Sequence, residues 1–278
     1  MDNFVLKKLD KASQNKAHAF VLEHEAFCVT LSSEFRGEAK FKVLYAIFNN
    51  DMICGVIAIS IYDFLLHCLP DPKIFERNSE LRDSLKQVLA GETISTIMGG
   101  EDGTKILQNL YGCNPVCEWE YFLMEYGGKK LDFDLPVQFM LRRCTLEDEE
   151  SLFPLQKQYE LVEVLPPGTE HNPARSRLGL RKALKTQLIF ALFENKRAIA
   201  KAGSNAVGVN FAQIGGVFTD AAFRNRGFAT FLTNYAAQRL IEKGKRVILF
   251  VKKKNESAKR AYKKAGFVQF GTFKIVYY

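Results

Sequence analysis

Ile214-Gly215-Gly216-Val217-Phe218-Thr219-Asp220-Ala221-Ala222-Phe223-Arg224-Asn225-Arg226-Gly227-Phe228-Ala229-Thr230 is the stretch from which the rest of the chain can be read. Val207 to Thr219 reads as a strand and Arg226 to Glu242 as a helix. Between them lies a loop carrying two arginines and a glycine. A helix N-terminus leaves backbone N–H groups unpaired and carries positive partial charge. Gly227 lets the backbone approach an anion closely, and Ala229 keeps the next close position small. In physical terms this is a cradle for a pyrophosphate. The Gly-Lys-Ser/Thr ending of a P-loop is absent, and so is the G-x-G-x-x-G dinucleotide fingerprint.

A second segment follows at a suitable distance. Val247 to Val251 reads as a strand. After it comes Asn255-Glu256-Ser257-Ala258-Lys259-Arg260-Ala261-Tyr262-Lys263-Lys264-Ala265-Gly266-Phe267. The loop has the form R-x-x-G-x-A and the second segment the form N-x-x-A-x-x-x-Y-x-x-x-G-F. Together, and in this order, they resemble the GNAT acyl-CoA-dependent N-acetyltransferase superfamily over about residues 137–278. The resemblance implies an α/β fold with a splayed mixed sheet flanked by helices. It also implies roles at matched positions. Val217 and Thr219 would offer main-chain groups to the pantetheine arm, as in strand addition. Arg224, Asn225, Arg226, Gly227, Phe228 and Ala229 would hold the pyrophosphate, with the Thr230 hydroxyl beside them. Asn255 would bind the pantetheine arm. Tyr262 would protonate the departing CoA thiolate as general acid. A main-chain N–H near Val217 or Phe218 would polarise the thioester carbonyl. The implied reaction is direct attack of a neutral amine on acetyl-CoA or another acyl-CoA, with no metal. A base is then needed, and no motif fixes it. Glu160, Glu163, Glu170, His171, Glu194 and Asp220 all stay open.

Charge supports an anionic ligand for the second half. Residues 1–136 hold 14 basic and 20 acidic side chains, net −6, whereas 137–278 hold 25 and 11, net +14. Such asymmetry points to something anionic at the basic half. Part of it is the cluster Lys252, Lys253, Lys254, Lys259, Arg260, Lys263 and Lys264, which reads mainly as a solvated face with some contact to the CoA 3′-phosphate. Hydrophobic residues make up 47% of the chain and charged residues 25%, which excludes a wholly disordered or collagen-like chain.

The Gly127-Gly128-Lys129-Lys130 to Pro136 stretch reads as a linker. Two domains follow: 1–135, an N-terminal α/β domain, and 136–278, the GNAT-like acyl-CoA-binding domain. In the first, 4–30 reads as a helix. Val43 to Phe48 and Met52 to Ile61 form a hairpin about Asn49-Asn50-Asp51. Leu81 to Leu89 is a helix with Leu81, Leu85, Val88 and Leu89 on one face, capped by Ser79 or Asn78. Thr93–Met98 is a buried strand, Thr104–Leu110 a helix and Glu118–Tyr126 a strand. This order loosely echoes the second half, so the first domain is expected to be a degenerate GNAT-like half or a substrate-recognition domain. In the second, Val137–Arg143 is a strand. Thr145 to Asp148 is an imperfect capping box, and the helix after it turns Leu152, Leu155 and Tyr159 inward. Ala174–Thr186 is a basic helix, and Leu188–Glu194 and Ala198–Ala202 are strands. Ser257–Ala265 is a helix, and Phe267–Tyr278 a final strand or pair.

Six scattered cysteines lack paired spacings and read as thiols in a reducing cytoplasm. Met1-Asp2-Asn3-Phe4 does not open a secretory signal, and no apolar run reaches a membrane span. The expected partners are acyl-CoA, a small-molecule or peptide amine and, by analogy with relatives, a second copy of the chain. No membrane partner is expected. Two other readings compete: a CoA-binding regulatory module without turnover and, more weakly, a nucleic-acid-binding protein.

Overall fold

A computed structural model describes residues 3–36 and 41–278. Met1 and Asp2, used in the signal-peptide reading, lie outside the described residues. The first half runs β1 (Phe4–Lys8), α1 (Gln14–Glu23), α2 (Val29–Arg36), β2 (Phe41–Asn49), β3 (Met52–Ser60), β4 (Phe64–Cys68), α3 (Ile74–Arg77), α4 (Ser79–Ala90), β5 (Thr96–Gly100), α5 (Glu101–Tyr111) and β6 (Cys117–Tyr126). The second half runs β7 (Phe139–Arg143), α6 (Glu149–Tyr159), a π-helical turn (Glu160–Val164), α7 (Pro173–Thr186), β8 (Ile189–Glu194), β9 (Arg197–Val207), β10 (Phe211–Thr219), α8 (Phe228–Ile241), β11 (Arg246–Lys252), α9 (Glu256–Lys264) and β12 (Phe267–Tyr277).

These elements form two compact units. The first comprises the described residues of Met1–Leu123 together with Val207–Phe211 and Phe270–Tyr278; the second is Met124–Ala206 and Ala212–Gln269. The whole 127–136 stretch therefore lies inside the second unit. It is bonded there rather than free, because the buried amide of Asn234 needs partners. Asn234 Nδ2 donates to the Lys129 carbonyl at 2.7 Å and the Ala265 carbonyl at 2.9 Å, and its Oδ1 accepts from the Leu131 N–H at 3.2 Å.

In the first unit the strand order is β1-β2-β3-β4-β5-β12. The β2–β3 hairpin turns at Asn50, which adopts a φ of 54°. Alternate strand residues face two cores. Val43, Ile47, Ile57, Ile59 and Leu65 pack with Leu81, Leu85, Leu89 and Leu107 on one side. Leu44, Val56, Ala58 and Leu66 pack with Ala17, Val21, Cys28 and Leu31 on the other. Strands buried on both faces read as near-continuous apolar runs, as here. α4 starts where expected, its cap being the Asn78 side chain accepting from the Leu81 N–H at 2.8 Å. The expected helix over 4–30 is replaced by β1, α1 and α2. Phe4 and Leu6 alternate against the core while Phe4–Lys8 pairs with Tyr45–Asn49. Helical spacing begins only at Ala17 and Val21. The last strand is single: β12 pairs antiparallel with β5, from Phe273 opposite Gly100 to Tyr277 opposite Thr96.

In the second unit β7, β8 and β9 are successive antiparallel neighbours, and the order continues through β10 to β11. Thr145 and Asp148 close a reciprocal capping box before α6. α6 and α7 bury Leu152, Leu155, Leu180 and Leu184 against Ile189, Ala191 and Phe193 of β8. The β9–β10 turn extends over 208–210, so β10 starts at Phe211 rather than at Val207.

Candidate functional site

In the second unit, the end of β10, the start of α8 and the start of α9 enclose a cleft of about 530 Å³. Eleven of the twelve residues singled out in the sequence line it: Val217, Phe218, Thr219, Arg224, Asn225, Gly227, Phe228, Ala229, Thr230, Asn255 and Tyr262. Arg226 does not. Its guanidinium lies over the Phe223 ring, 5.2 Å from the centroid.

The loop is shaped by backbone that turns left-handed twice. Asn225 has a φ of 63° and Gly227 a φ of 80°, so the chain reverses directly into α8. No side chain caps α8, which leaves its first N–H groups to the cleft. Phe133 packs beneath Gly227; a Cβ there would meet the ring at 3.1 Å. Arg224 Nε donates to the Thr219 carbonyl at 3.2 Å, and its guanidinium lies 5.5 Å from the Phe218 ring centroid. Thr219 Oγ1 is buried with no hydrogen-bond partner. Together, an uncapped helix start and an orphaned hydroxyl suit an anionic, polar ligand running along β10.

The opposite wall is α9. Asn255 caps it, its Oδ1 accepting from the Ala258 N–H and the Ser257 hydroxyl, both at 3.0 Å. Its Nδ2 donates to Glu163 Oε1 at 3.4 Å. Asn255 is thus committed to the helix start before any ligand is considered. Tyr262 is 9% exposed, and burial raises its phenol well above the ordinary tyrosine range, with Tyr159 and Glu163 adding to the effect. Such a phenol holds its proton at neutral pH. Arg260 and Lys264 of the basic cluster also line the cleft.

Of the six acids and bases left open, Glu163 alone lines the cleft. The Asp220 carboxylate is taken by the Ala222 N–H at 3.0 Å and by Arg197 at 2.5 Å. Glu160 accepts from Gln156 at 2.7 Å and pairs with His171 at 3.0 Å. Glu170 is exposed. One residue escaped the sequence reading. Lys201 of β9 is 6% exposed and lies over the Tyr159 ring, 4.5 Å from its centroid. Its signal was a single charge in the apolar run Ala198-Ile199-Ala200-Lys201-Ala202.

The first unit has an opening at a comparable place in its own sheet. β4 and β5 pair in parallel over Phe64–Leu66 and Thr96–Met98, and a cavity of about 280 Å³ is lined by the strand ends and the start of α5. His67 lies there, 2% exposed, with Nε2 2.8 Å from Thr104 Oγ1. Glu101 and Asp102 occupy the first turn of α5, and the R-x-x-G-x-A loop has no counterpart. Among the described residues no cluster of three His, Cys, Asp or Glu side chains is arranged to hold a metal, and no helix is long and apolar enough to cross a membrane.

The acetyltransferase (GNAT) family model matches residues 152–267, from α6 through the first residue of β12. Residues 152–267 are a GNAT acetyltransferase domain. The fold likeness reaches further than this domain. A Drosophila protein of known structure superposes with a TM-score of 0.69 at 12% identity, covering 99% of each chain. A GNAT-family acetyltransferase from Colwellia psychrerythraea gives 0.58 at 11% identity, over 99% of this chain and 100% of that one. A tandem GNAT protein from the clavulanic acid biosynthesis pathway gives 0.60 at 8% identity, over 99% and 98%. At these identities the likeness concerns fold: a mixed α/β architecture of GNAT type spanning nearly the whole chain. No curated protein matches the sequence. The cleft, with both motif segments, lies within the GNAT domain.

Proposed function

We propose that the protein is an acyl-CoA-dependent N-acyltransferase, with acetyl-CoA as donor and a small-molecule or peptide amine as acceptor. The observation that carries this reading is the cleft in which the uncapped start of α8 faces Asn255 and Tyr262 of the second motif.

Each residue has a task under this reading. The α8 N–H groups, with Arg224, bind the diphosphate through charge-assisted hydrogen bonds. Val217 and Thr219 offer main-chain groups to the pantetheine arm. A main-chain N–H at Val217 or Phe218 polarises the thioester carbonyl and stabilises charge that develops there during attack. Tyr262, kept protonated by burial, gives its proton to the sulfur as the C–S bond breaks. Glu163 is the carboxylate within reach of the same wall. A functional division near residue 135 belongs to the same proposal, with 136–278 supplying catalysis and 1–135 a GNAT-like half that lacks the phosphate loop. So does a cytoplasmic setting, which the six free thiols suit.

The test is acetyl-CoA binding by calorimetry, with wild type beside Arg224→Glu and Arg226→Glu. Arg224→Glu places a carboxylate in the cleft and should weaken binding at least about tenfold, which corresponds to roughly 1.4 kcal/mol. Arg226→Glu, outside the cleft lining, should weaken it less. Binding followed by thiol release on an amine panel identifies an enzyme. Binding with no turnover on any amine points to a regulatory module. Absence of binding at near-millimolar acetyl-CoA overturns the reading.

A further inference from the structure

Beyond the cleft, β10 continues into a second cavity. Its anion-binding end is the 224–230 loop, and from there the lining follows β10 back through Thr219 and Phe218 to Val217. The next two residues, Gly216 and Gly215, line a separate cavity of about 100 Å³, together with Tyr159 and Lys201. Gly216 has a φ of 61°, which interrupts the extended backbone at the junction. Lys201 Nζ presses against this point: a Cβ on Gly216 would lie 3.1 Å from it. A ligand with its diphosphate at the α8 start therefore runs toward Lys201 at its far end.

Lys201 is unusual for its burial. The nearest acid acting on it, Glu160, makes its direct ion pair with His171 instead, at 3.0 Å. A buried ammonium is costly; the Glu160 charge offsets part of that cost from a distance, and the neutral amine is the form that burial favours. A neutral amine is also a nucleophile.

Resting on the reading of the cleft as an acetyl-CoA site, we propose that Lys201 is a self-acetylation site, accepting the acetyl group from acetyl-CoA held along β10. The Nζ lone pair forms the C–N bond to the thioester carbonyl carbon. The C–S bond breaks and its electron pair leaves with sulfur. The Nζ proton passes to the thiolate, and the products are a neutral amide and free CoA thiol. The cavity beside Nζ, about 100 Å³, has room for the three heavy atoms of an acetyl group. An amide also suits the buried site better than an ammonium.

The pH dependence follows from the surroundings. Burial lowers the Lys201 pKa to about 8, while Glu160 and Cys144 act the other way. The neighbouring groups are Tyr159 on α6, Glu160 on the π-helical turn with its partner His171, and Cys144 after β7. The neutral fraction should therefore rise roughly tenfold between pH 7 and 9.

The experiment incubates the full-length protein with acetyl-CoA and maps acetylated peptides by mass spectrometry, with calorimetry of acetyl-CoA on the same sample. The expected result is one acetyl group on Lys201, forming faster than on the exposed Lys185 and Lys196 and roughly tenfold faster at pH 9 than at pH 7. In urea that preference should vanish. Lys201→Met and Lys201→Arg should still bind acetyl-CoA and lose the preferred adduct. Bound acetyl-CoA with Lys201 unmodified, or modified no faster than Lys185, overturns the proposal and leaves the cleft reading intact. No bound acetyl-CoA overturns both.

Discussion

His67 shows how one buried ring ties stability to pH. Gly99 and Gly103 lie so close that a Cβ on either would land on the imidazole. Burial lowers its pKa from 6.5 to about 3. Between these values the unfolded chain binds a proton that the folded one does not, so stability falls as pH drops below 6.5. At pH 5 the loss should be about 2 kcal/mol relative to pH 7. Urea titrations at both values should find that step in wild type and a smaller one in His67→Gln. Lys201 has the same sign in another window. Its folded pKa of about 8 lies below the ordinary 10.5, so stability gained from its deprotonation appears as pH rises from 8 to 10. Lys201→Met should stabilise the protein at pH 7 by up to about 3 kcal/mol, and that gain should shrink by pH 10. Tyr277 and Tyr278, partly buried and raised to about 12, oppose stability in alkali but cancel in the wild-type-to-mutant difference.

At the scale of elements, the strap over 127–136 is anchored by Asn234, by the Gly127 N–H donating to the Gly266 carbonyl at 2.8 Å and by Phe133 stacking on Phe231. Asn234 bonds to Lys129, Leu131 and Ala265 and also touches Tyr126 Oη at 3.1 Å. Asn234→Ala leaves several of these groups unpaired and should cost about 3 kcal/mol, measurable as a lower urea midpoint. Phe133 of the same strap underlies Gly227, so acetyl-CoA binding should weaken as well. Elements with one strong period were legible in the sequence. α4 declared itself through Leu81, Leu85 and Leu89 and a capping Asn78, and α8 and α9 through their motif residues. β1 was hidden because its five residues adjoin a helical pattern and its partner, β2, begins more than thirty residues later. The strap read as a loose connection because glycine and charge are local signals, whereas the Asn234 contacts that bind it are over 100 residues away. The 224–230 side of the candidate site was readable for a related reason: its left-handed turns at Asn225 and Gly227 are local backbone shape. Lys201 was not, since its meaning comes from burial between elements distant in sequence.

On the scale of the whole molecule, the sequence reading divided the chain at a single point, whereas the folded units exchange segments. Phe270–Tyr278 completes the sheet of the first unit, where Val276 is fully buried and Lys274 pairs with Glu118 at 2.8 Å. The 207–211 turn belongs there too. The buried Glu25 accepts from the Val209 N–H at 2.5 Å and the Asn210 N–H at 2.8 Å, and Arg36 donates to the Gly208 carbonyl at 2.7 Å. Deleting 270–278 should therefore unfold the first unit, exposing the β5 edge and its apolar core. Circular dichroism and proteolysis should report loss of structure in residues 3–123. A native-like, protease-resistant first unit in the truncated protein would refute this account.

The same exchange sets a schedule for biosynthesis. Domains often fold in the order in which they emerge, at about 5–20 residues per second. Here the β1–β5 sheet waits for the Phe273–Tyr277 end of β12, which emerges only after the whole second unit has been made, so the nascent first half carries an open edge throughout that interval. That interval is the time in which a holdase would have the most to protect.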